Sequence, residues 1–239
     1  MELDGYLAEL TRRLRDVLGD ELLGVYAGGS YALGAYEPGR SDIDVTVVAA
    51  GPFARPAKQA IVARVRHEAL PCPARGLELV VYPLATARSG RGEPGFELNL
   101  NTGAEMAFRV DERPGEIEGF WFALDRSILR EHGCALAGPP PAELFAPIPR
   151  PTVLGLLAES VRWHRDSDIP LGSDVVLNTC RALRFTTEGT WSAKRVAGTW
   201  AAGEPVVRAA LAGEPLDREA VARFLDAAEA RLDDAMGQA

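Results

Sequence analysis

The chemistry in this chain is concentrated in one short segment. Gly29-Ser30 is followed after eleven residues by Asp42-Ile43-Asp44. Two carboxylates two apart on an extended strand point to the same side, with Ile43 turned into a core between them. Such a pair is self-repelling and costly to desolvate unless a cation joins it. Hard oxygen ligands suit Mg²⁺, which takes one or two carboxylates and completes its shell with water and substrate phosphates. Asp42 and Asp44 are therefore the candidate ligands for two Mg²⁺ ions. Metal ions bridging phosphate oxygens neutralise the charge that develops in phosphoryl or nucleotidyl transfer.

Gly29-Ser30 supplies a small-residue turn at a strand end, where backbone N–H groups and a hydroxyl can meet a triphosphate. Ser41 offers a second hydroxyl just before the first aspartate. A third carboxylate, Glu78, is the only charged residue in LELVVY (77–82). An acid in an apolar strand is either paired or working, and beside the aspartates it could accept a proton from an attacking hydroxyl. Glu78 can equally be an edge-strand solubility charge, and an isolated Asp-x-Asp is common. By the same standard, Arg181 and Lys194 read as solvated helix charges and Trp163 as core.

The elements that would position these groups are legible in the periodicity. Asp4 to Gly19 predicts an amphipathic helix with Asp4 as its cap, and LLGVYA (22–27) a buried strand running into Gly28-Gly29-Ser30. IDVTVVA (43–49) and LELVVY (77–82) predict strands, with a helix over 56–69 between them. FELNLN (96–101) reads as an edge strand in the otherwise weakly periodic stretch 85–119, and 120–133 as a helix ending at Gly133. The proline-rich GPPPAELFAPIPRP (138–151) forbids continuous helix or sheet and marks a junction. Helices follow at 152–165, 174–187, 192–202, 205–212 and 217–236. The expected architecture is an α/β (α+β) domain with a mixed sheet over 1–145, then an all-α bundle over 146–239.

Composition excludes several classes. With 26 basic against 34 acidic residues the net charge is −8, which disfavours nucleic acid as the partner and suits a cationic small molecule. No apolar run reaches the length of a membrane span, and the charged N-terminus lacks a signal peptide's core, so a cytoplasmic protein is expected. Cys72, Cys134 and Cys180 form no CxxC pair and read as free thiols. No exposed apolar heptad predicts a dimer, and a monomer is expected.

GGSYALGAYEPGRSDIDVTVV resembles the nucleotidyltransferase superfamily pattern. GLELVVYPL, CALAGPPPAELFAPIP and DVVLNTCRALRFTTEGTWSAKRVAGTWA are similar, more narrowly, to bacterial aminoglycoside adenylyltransferases that modify streptomycin and spectinomycin. The resemblance runs from about residue 20 to 212. It implies an N-terminal nucleotidyltransferase domain, a helical domain, and ATP, metal and antibiotic meeting in the cleft between. By position, Asp42 and Asp44 match metal ligands, Glu78 the base that also touches the acceptor, and Gly29, Ser30 and Ser41 the triphosphate turn. Arg181 and Lys194 match cations directed to the nucleotide. Trp163 and Asp168 keep the spacing associated with streptomycin use, and Asp174 is a further acidic candidate for the acceptor. The family places a tryptophan against the drug where this chain has Thr102-Gly103. The implied activity is transfer of AMP from MgATP to a drug hydroxyl, conferring resistance. The alternatives are the same chemistry on another hydroxylated acceptor and a non-catalytic nucleotide-binding regulator.

Overall fold

The computed structural model of the chain describes residues 2–115, 119–167 and 170–238. It divides into two compact units, Met1–Pro147 and Ile148–Ala239.

The first unit is built on a mixed sheet of six strands. Helix α1 (Leu3–Leu18) buries Tyr6, Leu7, Leu10, Leu14 and Leu18 along one face. Its cap position is Glu2, and Asp4 lies instead in the first turn, where its charge favours the helix dipole. Strand β1 (Leu22–Ala27) leads into a single helical turn, α2 (Gly29–Ala32). After it come β2 (Ile43–Ala49), α3 (Arg55–Val65), β3 (Leu77–Pro83) and a short α4 (Leu84–Ala87). Strands β4 (Leu98–Thr102) and β5 (Arg109–Asp111), helix α5 (Phe120–His132), strand β6 (Cys134–Ala137) and the turn α6 (Pro141–Leu144) complete the unit.

Strand order is β5-β4-β3-β2-β1-β6, with β2 and β3 parallel and every other neighbouring pair antiparallel. The parallel pair is the one joined by a helix, α3, as a crossover requires. FELNLN is not an edge. Its strand begins at Leu98 and lies between β3 and β5, and three-residue β5 is too short for periodicity to reveal. Strand β6, hidden in CALA before the prolines, closes the opposite edge against β1.

Alternation gives the sheet two different faces. One face carries Val25, Ile43, Val45, Val47, Leu77, Leu79, Val81, Leu98 and Leu100, all packed with α1 and α3 into a single core. On the other, Tyr26, Val48 and Tyr82 pack beneath Phe96, Phe122, Leu129, Leu144 and Phe145. That second layer covers only one end of the face. Its apolar residues give way along β2 and β3 to Asp44 and Glu78. Arg126 is 4% exposed and donates to the carbonyls of Arg91, Glu93 and Pro94, its guanidinium 5.1 Å from the Tyr82 ring centroid. One buried cation thus fixes a loop whose own sequence carries little pattern.

The second unit is helical: α7 (Arg150–Asp166), α8 (Ser173–Glu188), α9 (Lys194–Trp200), α10 (Pro205–Ala212) and α11 (Arg218–Gly237). Pro151 falls in the first turn of α7, where a missing N–H costs nothing, so the helix starts inside the proline-rich stretch. Arg162 and Arg165 of α7 pair with Glu229 of α11, and Leu154, Leu157 and Val161 of α7 and Leu225, Ala228 and Leu232 of α11 are all buried. No helix among the described residues is long and apolar enough to cross a membrane.

Candidate active site

Register brings the acids together. Asp44 of β2 is the direct partner of Glu78 of β3, flanked by the pairs Ile43–Leu77 and Val45–Leu79 on the opposite face. Neighbouring strands lie about 4.8 Å apart, so these two half-buried carboxylates are side by side. Asp42, also half-buried, is the residue before β2. The ladder continues past it on the other side of the chain, where Ile43 N–H donates to the Gly76 carbonyl at 2.9 Å.

The Gly28–Ser30 turn abuts the same point. Gly28 N–H donates to the Asp44 carbonyl at 2.9 Å, prolonging the β1–β2 ladder by one residue. Gly29 follows with φ +49°, a backbone conformation that L side chains avoid. A β-carbon on Gly29 would stand 1.7 Å from Asp44 Oδ2. Ser30, next in the chain, has a buried Oγ without a hydrogen-bond partner in the structure. An orphaned hydroxyl in such a place is expensive, and a polar ligand is the simplest way to satisfy it. Ser41 is partly committed: its Oγ accepts from Glu37 N–H at 3.0 Å and helps close the 37–41 turn, with its own proton still to give.

The remaining candidates lie in the helical unit. Lys194, the first residue of α9, is 3.5 Å from Asp174 in the first turn of α8. Arg181 donates to Asn178 Oδ1 at 2.7 Å. Trp163 is half-buried and meets His164 edge-on, ring centroids 5.0 Å apart. His164 was not among the sequence candidates. Its Nδ1 is 2.7 Å from the Ser160 carbonyl, burial pulls its imidazole below the ordinary range, and Lys194 pushes the same way. Asp168 lies outside the described residues. A cavity of about 330 Å³ between Leu183, Val206, Phe224 and Arg231 holds none of the candidates.

Among the described residues no three His, Cys, Asp or Glu side chains are gathered closely enough to hold a metal by themselves. Asp42 and Asp44 nonetheless fit Mg²⁺, whose shell needs only one or two carboxylates when phosphates and water supply the rest. The unsatisfied Ser30 hydroxyl beside them fits the phosphates.

A family model described as a nucleotidyltransferase domain matches residues 8–89, the segment holding Gly29, Ser30, Asp42, Asp44 and Glu78. The chain carries a nucleotidyltransferase domain. As a nucleotidyltransferase it has the fold of a spectinomycin adenyltransferase, AAD(9) from Enterococcus faecialis, solved with ATP and spectinomycin. The two chains are 17% identical, with a TM-score of 0.71 over 96% of this chain and 98% of the other. A toxin–antitoxin structure with AMP-PNP is 15% identical over 66% of this chain and 89% of that one, its TM-score of 0.31 too low to establish a common fold. No curated protein matches in sequence.

Gly103 is one of the two residues, Thr102-Gly103, that stand where the resemblance implies a tryptophan. A β-carbon there would lie 2.3 Å from the Arg75 carbonyl oxygen and 2.4 Å from the Gly76 α-carbon, so the backbone of the β2–β3 connection occupies the place of a side chain. An aromatic platform cannot be mounted at this position without moving that connection.

Proposed function

We propose that the protein transfers AMP from MgATP to a hydroxyl of a cationic aminocyclitol antibiotic, streptomycin or spectinomycin, and so confers resistance to it. The pairing of Asp44 with Glu78, directly beside the Gly29–Ser30 turn, carries this reading. On this reading the adjacent residues divide the three functions that transfer requires: a triphosphate cradle, metal ligands and a base. The fold shared with a spectinomycin adenyltransferase supports the same conclusion.

Glu78 takes the proton of the attacking hydroxyl, whose oxygen forms the new bond to the α-phosphorus while pyrophosphate leaves. Asp42 and Asp44 would hold Mg²⁺, two ions in the full site, which supplies neutralisation of the phosphate charge. Gly29 gives the backbone room to approach the triphosphate, and the hydroxyls of Ser30 and Ser41 donate to it. Arg181 and Lys194 supply cations for the phosphates. Asp168 and Asp174 supply carboxylates for the acceptor's cationic groups, and Trp163 an aromatic face. The enzyme works as a cytoplasmic monomer.

Gly103 favours a second reading, in which the acceptor is another small hydroxylated molecule. A drug platform requiring a side chain at that position is sterically blocked.

Pyrophosphate release from MgATP, with streptomycin, spectinomycin and several 2-deoxystreptamine drugs as acceptors, tests both readings. Mass spectrometry should find one added AMP on streptomycin or spectinomycin. No product across the panel, with MgATP still bound, would discard the antibiotic and leave the second reading.

A further inference from the structure

The Asp44–Glu78 pair belongs to a longer row. Asp44 pairs with Glu78, Glu78 with Asn101 of β4, and Asn101 with Arg109 of β5. Gly28 adds the β1 end through its bond to the Asp44 carbonyl. Directly paired residues present their side chains to the same face. The row therefore runs from the turn after β1 across four strands, in the order proposed phosphate turn, metal carboxylate, base, amide, guanidinium.

The two asparagines of β4 are used differently. Asn99 is 9% exposed and its Nδ2 donates to Asp111 Oδ2 at 3.0 Å, while Asp111 also accepts from Arg109 Nε at 2.9 Å. That network neutralises Arg109 and spends Asn99. Asn101 is half-buried, and among the described residues its side-chain amide makes no hydrogen bond. Leu98, Leu100 and Thr102 are all buried on alternate positions, and Thr102 Oγ1 accepts from His67 N–H. With Gly103 closed by the Arg75–Gly76 backbone, Asn101 is the side chain β4 presents next to Glu78.

We infer that Asn101 is a specificity-determining contact for the acceptor: its amide hydrogen-bonds a hydroxyl neighbouring the one that Glu78 deprotonates. This rests on the reading of Glu78 as the base. A carboxamide both donates and accepts, which matches a hydroxyl, and it carries no charge with which to pair a cation. The ligand class selected on this side of the base is a polyhydroxylated ring, cyclitol or sugar, held by neutral hydrogen bonds, with its cationic groups directed elsewhere.

Steady-state kinetics of the full-length enzyme with streptomycin and spectinomycin tests this. One neutral hydrogen bond is worth about 0.5–1.5 kcal/mol, so Asn101→Ala should raise acceptor KM roughly three- to tenfold and leave MgATP KM within about twofold. Asn101→Gln keeps the carboxamide and should recover part of the acceptor affinity that Asn101→Ala loses. A structural role alone would not separate the acceptor KM from the MgATP KM, nor be rescued by Asn101→Gln. Wild-type transfer with acceptor KM unmoved in Asn101→Ala overturns the inference and spares the proposed function. No wild-type transfer to either drug overturns both for these acceptors.

Discussion

The carboxylate of Asp44 lies against the α-carbon of Gly29, so close that a β-carbon on Gly29 would stand 1.7 Å from Asp44 Oδ2. The turn and Asp44, the proposed metal ligand, therefore specify one another. Gly29→Ala adds two costs: φ +49°, worth about 1–2 kcal/mol for an L residue, and displacement of the Asp44 carboxylate. Gly34→Ala is the matched control, because Gly34 has φ +65° and nothing within 4 Å of its missing β-carbon. Both variants should lose thermal stability, but only Gly29→Ala should lose transfer activity, by about a hundredfold or more. Equal activity in the two would remove Asp44 from the mechanism.

Ser30 predicts opposite effects on stability and binding. Its buried Oγ has no partner in the structure, so removing it relieves an unsatisfied polar group. Ser30→Ala should melt at or above the wild-type temperature, while KM for MgATP rises several-fold. A lower melting temperature together with unchanged KM would assign the hydroxyl a structural role.

Asp42 and Glu78 should separate binding from chemistry. Asp42→Asn removes a proposed metal ligand and should weaken MgATP binding as measured by calorimetry. Glu78→Gln removes the proposed base and should lower kcat about 10²- to 10⁴-fold, with MgATP affinity kept within a few-fold. A Glu78→Gln enzyme with near wild-type kcat would reduce Glu78 to a strand charge.

His164 predicts the direction of a pH dependence in stability. Burial holds the folded-state imidazole below its usual range, assisted by Lys194 and opposed by the Ser160 carbonyl. The unfolded chain takes up this proton near about pH 6.5, before the folded state does. The contribution is therefore complete above that pH and is lost as pH falls through it toward the lower folded value. Denaturant titrations at neutral and mildly acid pH should show a smaller acid-side loss for His164→Asn than for wild type. An identical loss would mean that other groups govern the acid limb.

Much of this protein was legible before folding. LLGVYA, IDVTVVA and the strand begun by LELVVY are found where their β-branched and apolar runs placed them, because burial on a sheet face leaves a local mark. The five C-terminal helices were equally visible through their apolar periodicity. The mixed α/β unit and the helical unit after it follow from that contrast. The Gly-Ser and Asp-x-Asp spacing also marked the segment of the candidate site.

What only the tertiary structure decided is nonlocal. Strand order cannot be read from alternation, so β5 and β6 were missed and β4 was placed at an edge it does not occupy. The register that sets Glu78 beside Asp44, and Asn101 beside Glu78, depends on which strands become neighbours and how they slide. The same is true of Gly103, whose missing side chain would collide with backbone 27 and 28 positions earlier in the chain. A sequence records what each residue is and how its close neighbours alternate. Contacts between distant segments are set by packing of the whole sheet, and here that packing decided which side chains neighbour Glu78.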